Sequence, residues 1–168
     1  MIKKYIIKNF IDLANPILGT KIVSCSDEFF APAKRILNPL PPIFKENVFD
    51  NHGKWMDGWE TRRRRSKGND YVIIKLGKPG KIKLVDIDTS FFNGNQPEYA
   101  MIEGCFLENN NLKNTKWIKI TKKNKIKPNN NNILKSNSSK TFNFIRLNIF
   151  PDGGVARLRL YGNIDLSL

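Results

Sequence analysis

From residue 71 onward the chain is a series of short runs in which β-branched, aromatic and leucine side chains alternate with polar ones. This period of two restricts the fold more than any other feature of the sequence, because it places one set of side chains on each face of a strand. The runs are 71–76, 82–87, 99–106, 117–120, 142–150 and 155–161. In the fifth, Phe144, Arg146, Asn148 and Phe150 alternate with Ile145, Leu147 and Ile149; in the sixth, Arg157 and Arg159 alternate with Leu158 and Leu160. Turn residues recur roughly every 8–12 positions, so the pattern predicts an all-β antiparallel sandwich. Residues 22–26 add a short strand, and 38–42 read as an extended, proline-stiffened connection. No long helix competes. Phe10, Leu13, Ala14, Ile17 and Leu18 have helical spacing but are interrupted by Pro16, which predicts a short N-terminal helical turn ending at Gly19. A chain of 168 residues buries roughly 70% of its unfolded surface, so residues 1–168 are expected to form a single domain around one core.

The formal charge of +14 invites a nucleic-acid or anionic-membrane partner. Its distribution argues against both. Between 109 and 151 there are nine lysines, Arg146 and no acid, which accounts for ten of the fourteen excess charges. Residues 109–140 are built largely from Lys and Asn, lack periodicity and lack the arginine and aromatic interleaving on which bases stack, so they are expected to be a solvated insertion loop. No stretch of about 18 apolar residues exists to span a membrane. Cys25 and Cys105 are too few to suggest a disulfide framework, and residues 1–10 lack the apolar core of a signal peptide. These features together predict a cytoplasmic protein.

Three segments are unusually dense in functional side chains. Residues 52–65 (HGKWMDGWETRRRR) place tryptophans, acids and four arginines within a dozen positions. Tryptophans anchor such a loop, and arginine is suited to bidentate grip of a carboxylate. Residues 85–95 (VDIDTSFFNGN) put Asp86 and Asp88 on the same face of a strand, where they bind a cation, share a proton or pair with arginines. Residues 146–159 (RLNIFPDGGVARLR) read as a hairpin whose Pro-Asp-Gly-Gly turn is chiefly structural. His52 is the sole histidine and no Cys/His cluster has zinc spacing.

These segments, with Ser26-Asp27-Glu28-Phe29-Phe30-Ala31-Pro32-Ala33, resemble the allantoicase family from about residue 10 to residue 162. The resemblance implies a jelly-roll β-sandwich similar to galactose-binding domains. It implies hydrolysis of allantoate to ureidoglycolate and urea, a step of purine breakdown. It also implies a second repeat, since members of the family usually carry two in tandem and this chain resembles the first. The expected partners are therefore allantoate and either further copies of the chain or a separate second repeat. A small carboxylate bearing two ureido groups needs a carboxylate grip, for which Arg62 and Arg63 are candidates, and a proton donor, for which Glu60, Asp88 and His52 are candidates. Asn95 and Arg146 are candidates for the ureido oxygens. A lone histidine in an Asn-His-Gly loop is also an ordinary surface residue. The cofactor is left open: Asp86, Asp88 and Glu60 are oxygen donors for a divalent metal, but the spacing defines no metal site. The competing reading is a non-catalytic β-sandwich that binds a small ligand or a partner half.

Overall fold

A computed structural model describes residues 2–168. After a short helix α1 (Ile2–Asn9) come β1 (Ile11–Asp12), β2 (Lys21–Cys25), β3 (Phe49–Asp50), β4 (Gly53–Lys54), β5 (Trp59–Glu60) and β6 (Asp70–Asp88). The remaining strands are β7 (Tyr99–Cys105), β8 (Ile118–Lys119), β9 (Asn124–Lys125), β10 (Asn131–Lys135), β11 (Phe142–Phe150), β12 (Gly154–Val155) and β13 (Arg157–Ile164). The helical turn expected around 9–19 is divided. The helix precedes it, Ile11 pairs with Gly162 in β1–β13, and only Pro16–Leu18 forms a 3-10 turn, with Gly19 as its left-handed cap. Among the described residues no helix is long and apolar enough to cross a membrane.

The runs at 71–76 and 82–87 are one strand. The Gly-Lys-Pro-Gly between them reads as a turn, yet β6 passes through it without breaking. The first half of β6 pairs with β2 and β11, and the second half with β10 and β13. One strand therefore serves both layers of a β-sandwich, with β7 beyond β11 on one side and β1 beyond β13 on the other. Glycine is required at 77, where a Cβ would stand 1.8 Å from the Leu18 carbonyl oxygen. A register shift between Tyr161 and Gly162 against β6 marks a bulge near residue 83, which explains why Ile82, Val85 and Ile87 all reach the core although their spacing is not strictly two. Val72, Ile74, Ile145, Leu147, Leu158 and Leu160 face them, fully buried.

The Lys/Asn-rich segment differs from the loop its composition suggests. It supplies β8, β9 and β10, and buries Ile120, Thr121, Ile126 and Asn132. Its lysines lie at the surface, Ile120 and Ile126 are spent on the core and Ile133 is exposed, so the periodicity is diluted below recognition. Asn132 accepts from the Lys127 N–H at 2.9 Å and donates to the Ile87 carbonyl at 3.0 Å, fixing the turn that feeds β10. Asn132→Ala leaves these backbone groups unpaired inside the protein. It is expected to cost about 1–3 kcal/mol in urea unfolding, whereas Lys→Ala changes at exposed positions of the same segment stay within about 0.5 kcal/mol.

Candidate functional site

A cavity of about 560 Å³ opens where the three dense segments meet. Glu60, Thr61, Arg63 and Arg64 come from the first, Gly94 and Asn95 from the second, and Asp152 and Gly153 from the third. Backbone pairing assembles them. Glu60 lies opposite Gly154 in the β5–β12 pair, and its other edge exchanges hydrogen bonds with Ala31 at 3.2 and 3.3 Å. Trp59, fully buried, donates its indole N–H to the Asp27 carbonyl at 2.7 Å. Thr61 N–H donates to the Gly153 carbonyl, and Gly153 N–H to the Thr61 hydroxyl, both at 3.1 Å. Gly154 N–H reaches the Asn95 carbonyl at 2.7 Å. Gly153 has φ +131°, and any Cβ there would meet the backbone of residues 95–97 within 3 Å, so this turn shapes the cavity as well as reversing the chain.

The side chains at the cavity differ in what they have left to offer. Glu60 is partly buried, and its Oε1 accepts from Asn95 Nδ2 at 2.9 Å. Burial raises the Glu60 carboxyl above its ordinary value; the Asn95 hydrogen bond opposes this and the charge of Asp50 adds to it. Arg63 is exposed and makes no ion pair among the described residues. An acid held toward its protonated form thus stands at the same cavity as an uncommitted guanidinium.

The other sequence candidates are placed elsewhere. Arg62 grips Asp27 through Nε at 3.1 Å and Nη2 at 2.7 Å and lies over the Phe29 ring. Asp27 is burdened by burial, but the hydrogen bonds and charge of Arg62 outweigh that and hold its carboxyl below the usual range. His52 is exposed beside the β3–β4 pair, its ring 4.1 Å from that of Phe29. Arg146 donates to Glu103 at 2.6 and 2.9 Å and covers the Trp117 ring. Asp88 accepts from the Ser90 N–H and hydroxyl. With Asp86, Arg159 and Tyr161 it lines a separate pocket under Pro39–Pro42. There the β6–β13 register sets Asp88 opposite Arg157 and Asp86 opposite Arg159. Glu60 is thus apart from Asp86 and Asp88, so these three oxygen donors do not form one ligand set. No group of three or more His, Cys, Asp or Glu gathers for a metal among the described residues.

Thr61, Arg64, Gln96 and Asp152 also line the cavity and were not singled out from sequence. All but Gln96, which immediately follows one, lie inside the dense segments, and proximity to a motif was the only signal available. Asp152, read as a turn residue, accepts the Arg64 N–H at 2.6 Å and ties the third segment to the first.

Comparison with known proteins supplies the family. The allantoicase repeat matches residues 11–165. The chain belongs to the allantoicase family. It is 51% identical over 157 residues to a probable allantoicase of Acinetobacter baylyi, covering 94% of this chain and 47% of that protein. It superposes on the crystal structure of the Saccharomyces cerevisiae allantoicase with a TM-score of 0.84 and 35% identity, over 97% of this chain and 52% of that one. A family 32 carbohydrate-binding module of Clostridium perfringens, solved in complex with galactose, matches with a TM-score of 0.60 at 16% identity over 90% of this chain and 99% of that module, which is a likeness of fold. The expected galactose-binding-like β-sandwich is therefore the observed one. The chain spans about half the length of the allantoicases it matches.

Two outcomes follow from the site's electrostatics. Asn95→Ala removes the hydrogen bond that opposes burial, so the Glu60 carboxyl should titrate at still higher pH, read by carboxyl-carbon NMR. Asp57, in the middle of the first segment, is bound to the fully buried Arg157 at 2.7 Å. Burial works against the Asp57 carboxylate, yet bonds from Arg157 and the Ile43 N–H hold it below the ordinary 3.8. Its stabilising contribution is therefore complete above that ordinary value and is lost as pH falls through the lower, folded one. Asp57→Asn should cost about 3–5 kcal/mol at neutral pH in urea unfolding, because it removes the carboxylate partner of a buried guanidinium.

Proposed function

We propose that this chain is the substrate-handling repeat of an allantoicase that hydrolyses allantoate to ureidoglycolate and urea. The observation that carries the reading is the pairing, at one cavity, of an acid whose pKa is raised with an arginine that has no acidic partner among the described residues. Arg63 grips the substrate carboxylate through parallel N–H donors. The central carbon then presents its two ureido arms to Glu60 and Asn95. Protonated Glu60 delivers its proton to the departing ureido nitrogen as the carbon–nitrogen bond breaks. Its carboxylate then takes a proton from the water that supplies the new hydroxyl. Asn95 holds Glu60 in place and offers its amide to a ureido oxygen. Arg62 acts at one remove, by fixing Asp27 and the loop on which Trp59 is anchored.

The relatives are about twice as long, so we infer that a second repeat joins this one in the working assembly. Cys25 and Cys105 are both free thiols, which accords with the reducing cytoplasm as the place of action.

Urea release from allantoate, by the chain alone and mixed with a second repeat, tests the reading. Glu60→Gln should fold normally and lower kcat about 10²–10⁴-fold, whereas Arg63→Ala should act mainly by raising KM. Near-native turnover in both variants would sink the assignment. No urea under either condition, from a chain with an intact β-sheet spectrum, would favour a ligand-binding module without catalysis.

A further inference from the structure

Adjoining the first cavity is a second, of about 210 Å³, walled by the consecutive Arg62–Arg63–Arg64–Arg65 together with Ser26, Ser66, Asp27 and Asp70. Four guanidinium groups meet two carboxylates there. Arg62 is satisfied by Asp27 at 2.7 Å. Arg64 comes only within 3.8 Å of Asp70, whose Oδ1 accepts instead from the Ser26 hydroxyl at 2.9 Å. The Arg64 Nε is shut away from solvent and has no hydrogen-bond partner among the described residues. Arg63 and Arg65 make no ion pair among the described residues. A cavity with excess guanidinium around it repels cations and offers a neutral molecule little. The missing component is an acceptor carrying negative charge.

We propose that this second cavity is a binding site for a small free oxyanion of the phosphate type, held by Arg63 and Arg65, with Arg64 and Ser66 at its wall. The tetrahedral anion offers several acceptor oxygens to donors arriving from different directions, which suits guanidiniums spread along one extended segment. Arg63 and Arg64 border both cavities, so an anion seated here draws Arg63 away from any carboxylate ligand in the first. The site stands whether or not the chain is a hydrolase.

Calorimetric titration of the purified chain with inorganic phosphate, at constant ionic strength set with chloride, tests this. The expected result is one saturable site per chain, weakened about tenfold in Arg65→Ala by loss of a charge-assisted bond, lost in the Arg63→Ala/Arg65→Ala double variant, and unchanged in Lys113→Ala. Three results would overturn it: no saturable heat from the wild type, equal weakening by Lys113→Ala, or loss on Arg63→Ala with full affinity kept in Arg65→Ala. The last would put the ion in the first cavity. Because the readout is heat of binding, a negative result leaves the urea-release experiment untouched, and the reverse holds too.

Discussion

A single bent strand organises this molecule. β6 runs through both layers of the sandwich, and its two ends return to the same turn. The Asp70 N–H donates to the Pro151 carbonyl at 3.1 Å, and the Asp88 carbonyl accepts from the Ala156 N–H at 2.8 Å. The arginine-rich segment that precedes β6 and the Asn-Gly-Asn loop that follows it are therefore brought to one place, although about thirty residues separate Arg63 from Asn95 along the chain. The bend has a steric condition at Gly77, and the meeting point has another at Gly153. Between these two glycines the hydrophobic core fixes the sheet spacing, and the cavity is what remains where the loops cannot close over one another.

Within that frame, acids decide which arginines are available. Asp27 takes Arg62, Glu103 takes Arg146 and Asp57 takes Arg157. Each pair also ties a loop or neighbouring strand to the body of the fold, so these arginines act through position. Within Arg62–Arg65, Arg63 and Arg65 are left over among the described residues. The same accounting explains Glu60, which has an amide rather than a cation for a partner and so meets burial without a compensating charge. The raised Glu60 carboxyl and the guanidiniums without an ion pair at the two cavities both follow from this pairing.

The alternation of β11 and β13 was legible in the sequence because one face of each strand packs on a dry core, and the dense segments stood out because tryptophan, glycine and arginine rarely crowd together in an ordinary loop. Other features were hidden for physical reasons. The bulge near residue 83 shifts the parity of β6, so strict alternation fails where the strand continues. Gly-Lys-Pro-Gly looks like a turn, yet here it is the place where a strand changes layers. The Lys/Asn-rich segment buries only scattered residues such as Ile120, Ile126 and Asn132, too few to impose a period on its composition.

The sequence by itself determined the all-β class, the core faces of the main strands, and the short list of segments from which a site is made. Local rules suffice for these, because strand period, turn chemistry and side-chain type depend on neighbours along the chain. Only the tertiary structure decided that Glu60, Arg63 and Asn95 share a cavity, while Arg62, Asp88, His52 and Arg146 lie elsewhere. Which acid lies against which arginine depends on register between strands far apart in sequence. Every arginine in Arg62–Arg65 is the same side chain until the fold gives two of them a carboxylate and leaves the other two without one.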